Sequence, residues 1–227
     1  MARTAHPRRP RSGRVVPGAM ADEMTVAARD ADVRLARNLS IVSATWGALA
    51  ATIALALGIS SGSLSTVGFA IDSAIDSAAS VALIWRFHVE RQDPVRATHV
   101  EHVAERVVGV VLIVSAVALL IGAGRALVGG PAIHSVPGQN ALLLASLVFL
   151  PPLAVAKRRV AGRLGSRALA NDALLTGAAA VLALVALVST LVATELGMWW
   201  ADPVGAIAIA LVLAREGVSS LREAAAR

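Results

Sequence analysis

Two aspartates, Asp72 and Asp76, stand one helical turn apart in "VGFAIDSAIDSAASVALIWRF", residues 67–87, where every other residue up to Trp85 is apolar or small. An i, i+4 spacing puts both carboxylates on one face of a helix. An ionised carboxylate inside hydrocarbon costs several kcal/mol unless it is paired, protonated or bound to a cation, and a like charge on the next turn adds to that cost. A divalent cation removes both penalties, and so do protons. The pair is therefore suited to exchanging a metal ion for protons. The plainer alternative is two carboxyls hydrogen-bonded to Ser73, Ser77 or neighbouring helices.

The surroundings must then be membrane. The chain has 227 residues, 56% of them hydrophobic and 16% charged, with a mean hydropathy of +0.70, far from the balance of an ordinary soluble domain. It contains no cysteine, so a metal ligand must be oxygen or nitrogen. The formal charge of +6 is not a nucleic-acid footprint, because the arginines fall between apolar blocks and form no basic face interleaved with aromatics. No Ser-His-Asp set, His-x-x-Glu-His or phosphate-binding glycine loop suggests a membrane enzyme.

Apolar blocks long enough to cross about 30 Å of hydrocarbon occupy residues 39–59, 64–85, 107–129, 140–156, 168–194 and 199–214. The expected fold is an all-α integral membrane protein of six transmembrane helices. Pro151 and Pro152 should kink the fourth, and Trp199 and Trp200 suit an interfacial belt at the start of the sixth. Of the 21 Lys and Arg residues, all but Arg125 fall in the segment before span one, in the second and fourth loops, and after span six. By the positive-inside rule both termini are cytoplasmic. Residues 1–38 read as a disordered basic tail, 39–217 as the transporter domain and 218–227 as a short tail, with no C-terminal soluble domain.

The sequence resembles the cation diffusion facilitator family in its short, six-helix form. The likeness covers residues 38–220 and rests on the second-span Asp-x-x-x-Asp, on "SRALANDALLTGAAAV" opening span five, and on "WWADPVGAIAIALVLAREG" opening span six. It implies a divalent metal/proton antiporter, a homodimer in the lipid bilayer, that exports metal through a site between spans two and five. No cofactor is tightly bound; the cation is cargo. The likeness points to Zn²⁺, whereas a site without thiolate or intramembrane imidazole favours harder ions such as Mn²⁺ or Mg²⁺. Asp72 and Asp76 match the family's acidic ligands on span two, and Asp172 matches an acidic residue on span five. The remaining span-five ligand positions hold Leu175 and Ala179, which cannot coordinate. That departure keeps open an alternative, a non-transporting scaffold or regulatory subunit descended from such a transporter.

Depth orders these groups. At 1.5 Å per residue, Asp76 lies about 15 Å and Asp72 about 21 Å from Arg86, whereas Asp172 lies about 8 Å and Thr176 about 14 Å from Arg167. Thr176 should share a layer with Asp76, while Asn171 and Asp172 line the way in; alternatively, Asp172 closes a three-carboxylate site if span five slides toward span two. At the start of span three, His99, Glu101, His102 and Glu105 read as a solvated helix end, with His102 and Glu105 the candidates for feeding the pathway. Asp202, before Pro203, is either an outer-mouth residue or an ordinary N-cap. His134 reads as solvated.

The orientation predicts that a cysteine at Ser135 reacts with an impermeant thiol reagent added from outside intact cells and that one at Arg163 does not. The reverse labelling pattern would overturn the topology.

Overall fold

The computed structural model describes residues 17–89, 94–130, 133–134 and 136–225. They form six helices, α1 (Pro17–Ser61), α2 (Leu64–Val89), α3 (Pro94–Gly129), α4 (Gln139–Leu164), α5 (Arg167–Glu195) and α6 (Ala201–Ala225). Each contains a stretch long and apolar enough to cross a membrane, and no strand occurs among the described residues. The protein is a multi-pass, all-helical membrane protein.

The helices are longer than the apolar blocks that announce them, and several boundaries move, that of α3 back to Pro94. Residues 17–38, read from the sequence as tail, belong to α1, where a stripe of Asp32, Ala36, Leu39 and Ser40 turns toward the bundle and Ala36 is fully buried. Small and charged residues build that stripe, so hydropathy does not reveal it. At the other end α6 runs on to Ala225, through most of the segment expected to be a short tail. Helix α4 continues past residue 156 to Leu164 and stops where Gly165 adopts a left-handed φ of 63°, a conformation glycine takes without a Cβ penalty. It runs unbroken through Pro151 and Pro152.

α1 packs on α2, α3 on α6 and α4 on α5, while α2 also touches α3, α5 and α6, and α5 also touches α6. The helix bearing the aspartates thus lies at the centre. Its small residues permit this: Gly47 of α1 sits so close that a Cβ there would lie 3.0 Å from both the Ser73 carbonyl oxygen and Ser77 Cβ, and the Ser77 hydroxyl donates to the Ala44 carbonyl at 2.8 Å. Between membrane helices, where no hydrophobic force drives association, such close approach supplies the packing energy. Phe69, Leu112, Leu143, Leu182, Ile209 and Leu213 fill the space between the pairs. Val110, Val114, Val117 and Ile121 of α3 face outward, where lipid is their solvent.

A second close approach joins α5 to α6, where a Cβ on Gly205 would overlap the Ser189 side chain. Gly205→Ala is expected to cost about 1–3 kcal/mol through overpacking, read as a lower thermal midpoint in detergent. Gly124→Ala, where an added Cβ meets nothing within 4 Å, should leave the midpoint unchanged or raise it slightly.

Candidate functional site

Along α4 the buried side chains Leu150, Leu153, Lys157, Val160 and Ala161 recur at helical spacing. A lysine therefore occupies a position that faces the bundle. Lys157 is fully buried, and its Nζ lies 2.7 Å from Asp172 Oδ2 on α5, 2.9 Å from Thr176 Oγ1 and 3.3 Å from Ser80 Oγ on α2. Ser80 donates in turn to Asp172 Oδ1 at 2.8 Å. Two of the ammonium protons thus have hydroxyl acceptors, and the Asp172 carboxylate opposes the charge. That is the condition under which a buried ion pair is tolerable. Asp172, 4% exposed, does not line an open mouth: it is neutralised by a cation that belongs to the protein. Lys157 was counted from the sequence among the charges of a cytoplasmic loop, and its burial corrects that reading.

Asp76, 4% exposed, adjoins this network without being neutralised by it. Thr176 Oγ1 lies 3.3 Å from Asp76 Oδ1, and Ser43 Oγ of α1 lies 3.5 Å from Oδ2. The depth count had placed Thr176 in the layer of Asp76, and the structure brings them together. Thr176 Oγ1 also lies 3.0 Å from the Asp172 carbonyl oxygen. With one hydroxyl proton, it can donate to that carbonyl or to Asp76, but not to both.

Asp72 is more exposed energetically than sterically. It is 5% accessible, yet its Oδ2 is buried with no hydrogen-bond partner. The antiparallel register explains this. Ser80 meets Asp172, Asp76 meets Thr176 and Ser65 meets Ser189, so α5 presents Ala179 and Ala180 opposite Asp72. The sequence leaves no polar group there.

Asp202 belongs to a different assembly at the far end of the bundle. Its carboxylate accepts from Ser63 Oγ (2.7 Å), Ser65 Oγ (2.5 Å) and the backbone N–H groups of Leu64 (2.8 Å) and Ser65 (3.4 Å). It caps a helix, as aspartates do at N-termini, but the helix is α2 and not its own α6. Ser189 of α5 and Gln139 of α4 join the network through Ser65 and Thr66. This knot ties four helices together at one end.

Asn171 is exposed, and so is His134, whose backbone N–H donates to the Ser61 carbonyl at 2.9 Å. The side chains of His99, Glu101, His102 and Glu105 lie outside the described residues. Among the described residues no three of His, Asp or Glu converge closely enough to form a metal cluster. Asp172 is paired across the helix interface and does not close a three-carboxylate site. Sequence reasoning missed Lys157, although its register with Leu150 and Leu153 was the available signal; the adjacent Arg158 and Arg159 obscured it.

The model of the cation efflux transmembrane domain matches residues 40–227, which takes in all three aspartates, Lys157 and the Asp202 cap.

Removing one member of a buried pair strands the other. Lys157→Met is expected to destabilise the protein by about 3–5 kcal/mol, and adding Asp172→Asn should recover most of that. Thermal unfolding of the single and double variants in detergent measures the coupling; equal loss in both would show that the pair does not carry the stability.

Proposed function

The chain belongs to the cation efflux family of cation transporters, and from that premise we propose that it exports a divalent metal ion from the cytoplasm in exchange for protons, binding the ion at Asp72 and Asp76. One observation carries this reading: the three intramembrane aspartates are not equivalent. Asp172 has its cation in Lys157. Asp72 has no hydrogen-bond partner on its buried oxygen, and Asp76 has only two long contacts to hydroxyls. Two buried, unneutralised carboxylates carry the charge that one divalent ion compensates. When the ion leaves, protons must replace it, because two bare carboxylates one turn apart are too costly in a low dielectric.

Thr176 connects the two systems. Its oxygen accepts from Lys157 and its proton is available to Asp76, so loading of Asp76 is felt at the Lys157–Asp172 pair, which also attracts and repels Asp76 electrostatically. Export as the direction of transport and a homodimer are both parts of the reading that come from the family likeness. Zn²⁺ and Mn²⁺ are the first cations to test.

A second reading has support from the same network. Lys157 already places a positive charge beside the site, and α5 offers Leu175 and Ala179 in place of ligands, as a scaffold that had given up transport would. Purified protein that neither binds nor moves any divalent cation in proteoliposomes would favour it.

With an imposed pH gradient, wild-type proteoliposomes should accumulate Zn²⁺ or Mn²⁺, and Asp72→Asn or Asp76→Asn should lower the rate by roughly tenfold or more while leaving insertion intact, since neutralisation relieves the burial cost. Full transport by Asp76→Asn would overturn the assignment.

A further inference from the structure

Two aspartates on one helix approach a cation from one side only. Opposite Asp72 the register of α5 supplies alanine, and Thr176, the polar group level with Asp76, is shared with Lys157. Among the other helices packed on α2 is α6, which runs parallel to it. Three contacts fix their relative stagger. Asp202 caps Leu64 and Ser65, a Cβ on Gly205 would lie 3.5 Å from Ser65 Cβ, and a Cβ on Gly68 would meet Ile209 at 2.9 Å. Glu216 lies two turns beyond Ile209, as Asp76 lies about two turns beyond Gly68, so the two are level. Positions i and i+7 also share a helix face. Glu216 therefore presents itself on the face through which Ile209 touches α2. The helix is held close here, for a Cβ on the next residue, Gly217, would lie 2.9 Å from the Gly109 carbonyl oxygen of α3.

We propose that Glu216 is a third carboxylate ligand of the divalent cation held by Asp72 and Asp76, which makes the site all-oxygen and suits it to a hard ion of the Mn²⁺ or Mg²⁺ class. The inference rests on the transport reading above. Independent of any acidic clustering, the buried Asp72 Oδ2 has no hydrogen-bond partner. The charges of Glu216 and Asp76 both bear on Asp72. Glu216 is itself repelled by Asp76 and attracted by the neighbouring Arg215. Half-buried, Glu216 does not already form a three-donor cluster with the aspartates, and its side chain must swing onto an ion between the helices. The charges then balance: Lys157 offsets Asp172, Arg215 offsets Glu216, and a divalent ion offsets Asp72 and Asp76. Oxygen ligands in this number, completed by water, match the preference of hard divalent cations.

Mn²⁺ is the probe, because its electron paramagnetic resonance distinguishes bound from free ion. Purified full-length protein is titrated as wild type, Glu216→Gln and Asp76→Asn, with the metal-free melting temperature recorded for each. The expected result is that Glu216→Gln melts like wild type without metal but binds Mn²⁺ roughly 10- to 100-fold more weakly. A second measurement needs no folded variant: wild-type protein labelled with ¹³C at glutamate carboxyls should show a hyperfine coupling between bound Mn²⁺ and a glutamate carbon. Unchanged Mn²⁺ affinity in Glu216→Gln beside weakened binding in Asp76→Asn would overturn the role of Glu216 and leave the transport reading intact, as would absence of the glutamate coupling. If wild type and Asp76→Asn bind Mn²⁺ equally, or neither binds it, both readings fall.

Discussion

The ion pair between Lys157 and Asp172 is the constraint around which the centre of this bundle is arranged. An ammonium group with no access to water must have every proton accepted and its charge opposed, and here the acceptors come from α2 and α5 while the lysine comes from α4. Three helices are thereby held in register at the depth of the aspartates. The pair also decides which carboxylates remain available. By opposing the charge of Asp172 it sets that aspartate apart from Asp72 and Asp76, which the ion pair leaves out.

At the opposite end of the bundle the Asp202 knot does comparable work with another device. A single carboxylate gathers two hydroxyls and two backbone N–H groups at the start of α2, where a helix leaves amide protons without intrahelical acceptors. In hydrocarbon such groups have no water to turn to. Supplying the cap from α6 rather than from α2 itself converts a local requirement into a bond between helices, and Ser189 and Gln139 extend it to α5 and α4. The cap also sets the stagger of α2 against α6. Counted along α6 at 1.5 Å per residue, Glu216 then falls about 20 Å from the cap.

Between these two fixed points lie Asp72 and Asp76, with fewer partners than either. The contrast is physical. Under the proposed function this is what ion release requires, because a site saturated by the protein's own donors in the empty state would leave nothing for the cation to gain. The long contacts from Ser43 and Thr176 hold Asp76 in place while leaving its charge uncompensated.

Much of this was legible in the sequence, for identifiable reasons. The six spans follow from hydrophobic length, and the shared face of Asp72 and Asp76 follows from the helical period alone. The common layer of Thr176 and Asp76 follows from counting residues inward from charges that cannot enter the bilayer. These are properties of one helix at a time. What one helix cannot disclose is which neighbour meets it. Lys157 stands in the run "KRRVAGR", where hydropathy ends a span, and only the packing of α4 against α2 and α5 shows that this lysine turns inward while Arg158 and Arg159 turn out. Asp202 announces itself as a cap by preceding a proline, yet its donors lie 137 to 139 residues away. Glu216 looks like a helix-end charge until the stagger of α6 is known. The sequence determined the elements and the chemical types on each face, because both depend on local period and composition. Pairing, depth and partner choice were settled by the tertiary structure, because they depend on helix stagger, which close contacts between distant small residues fix and no local pattern encodes.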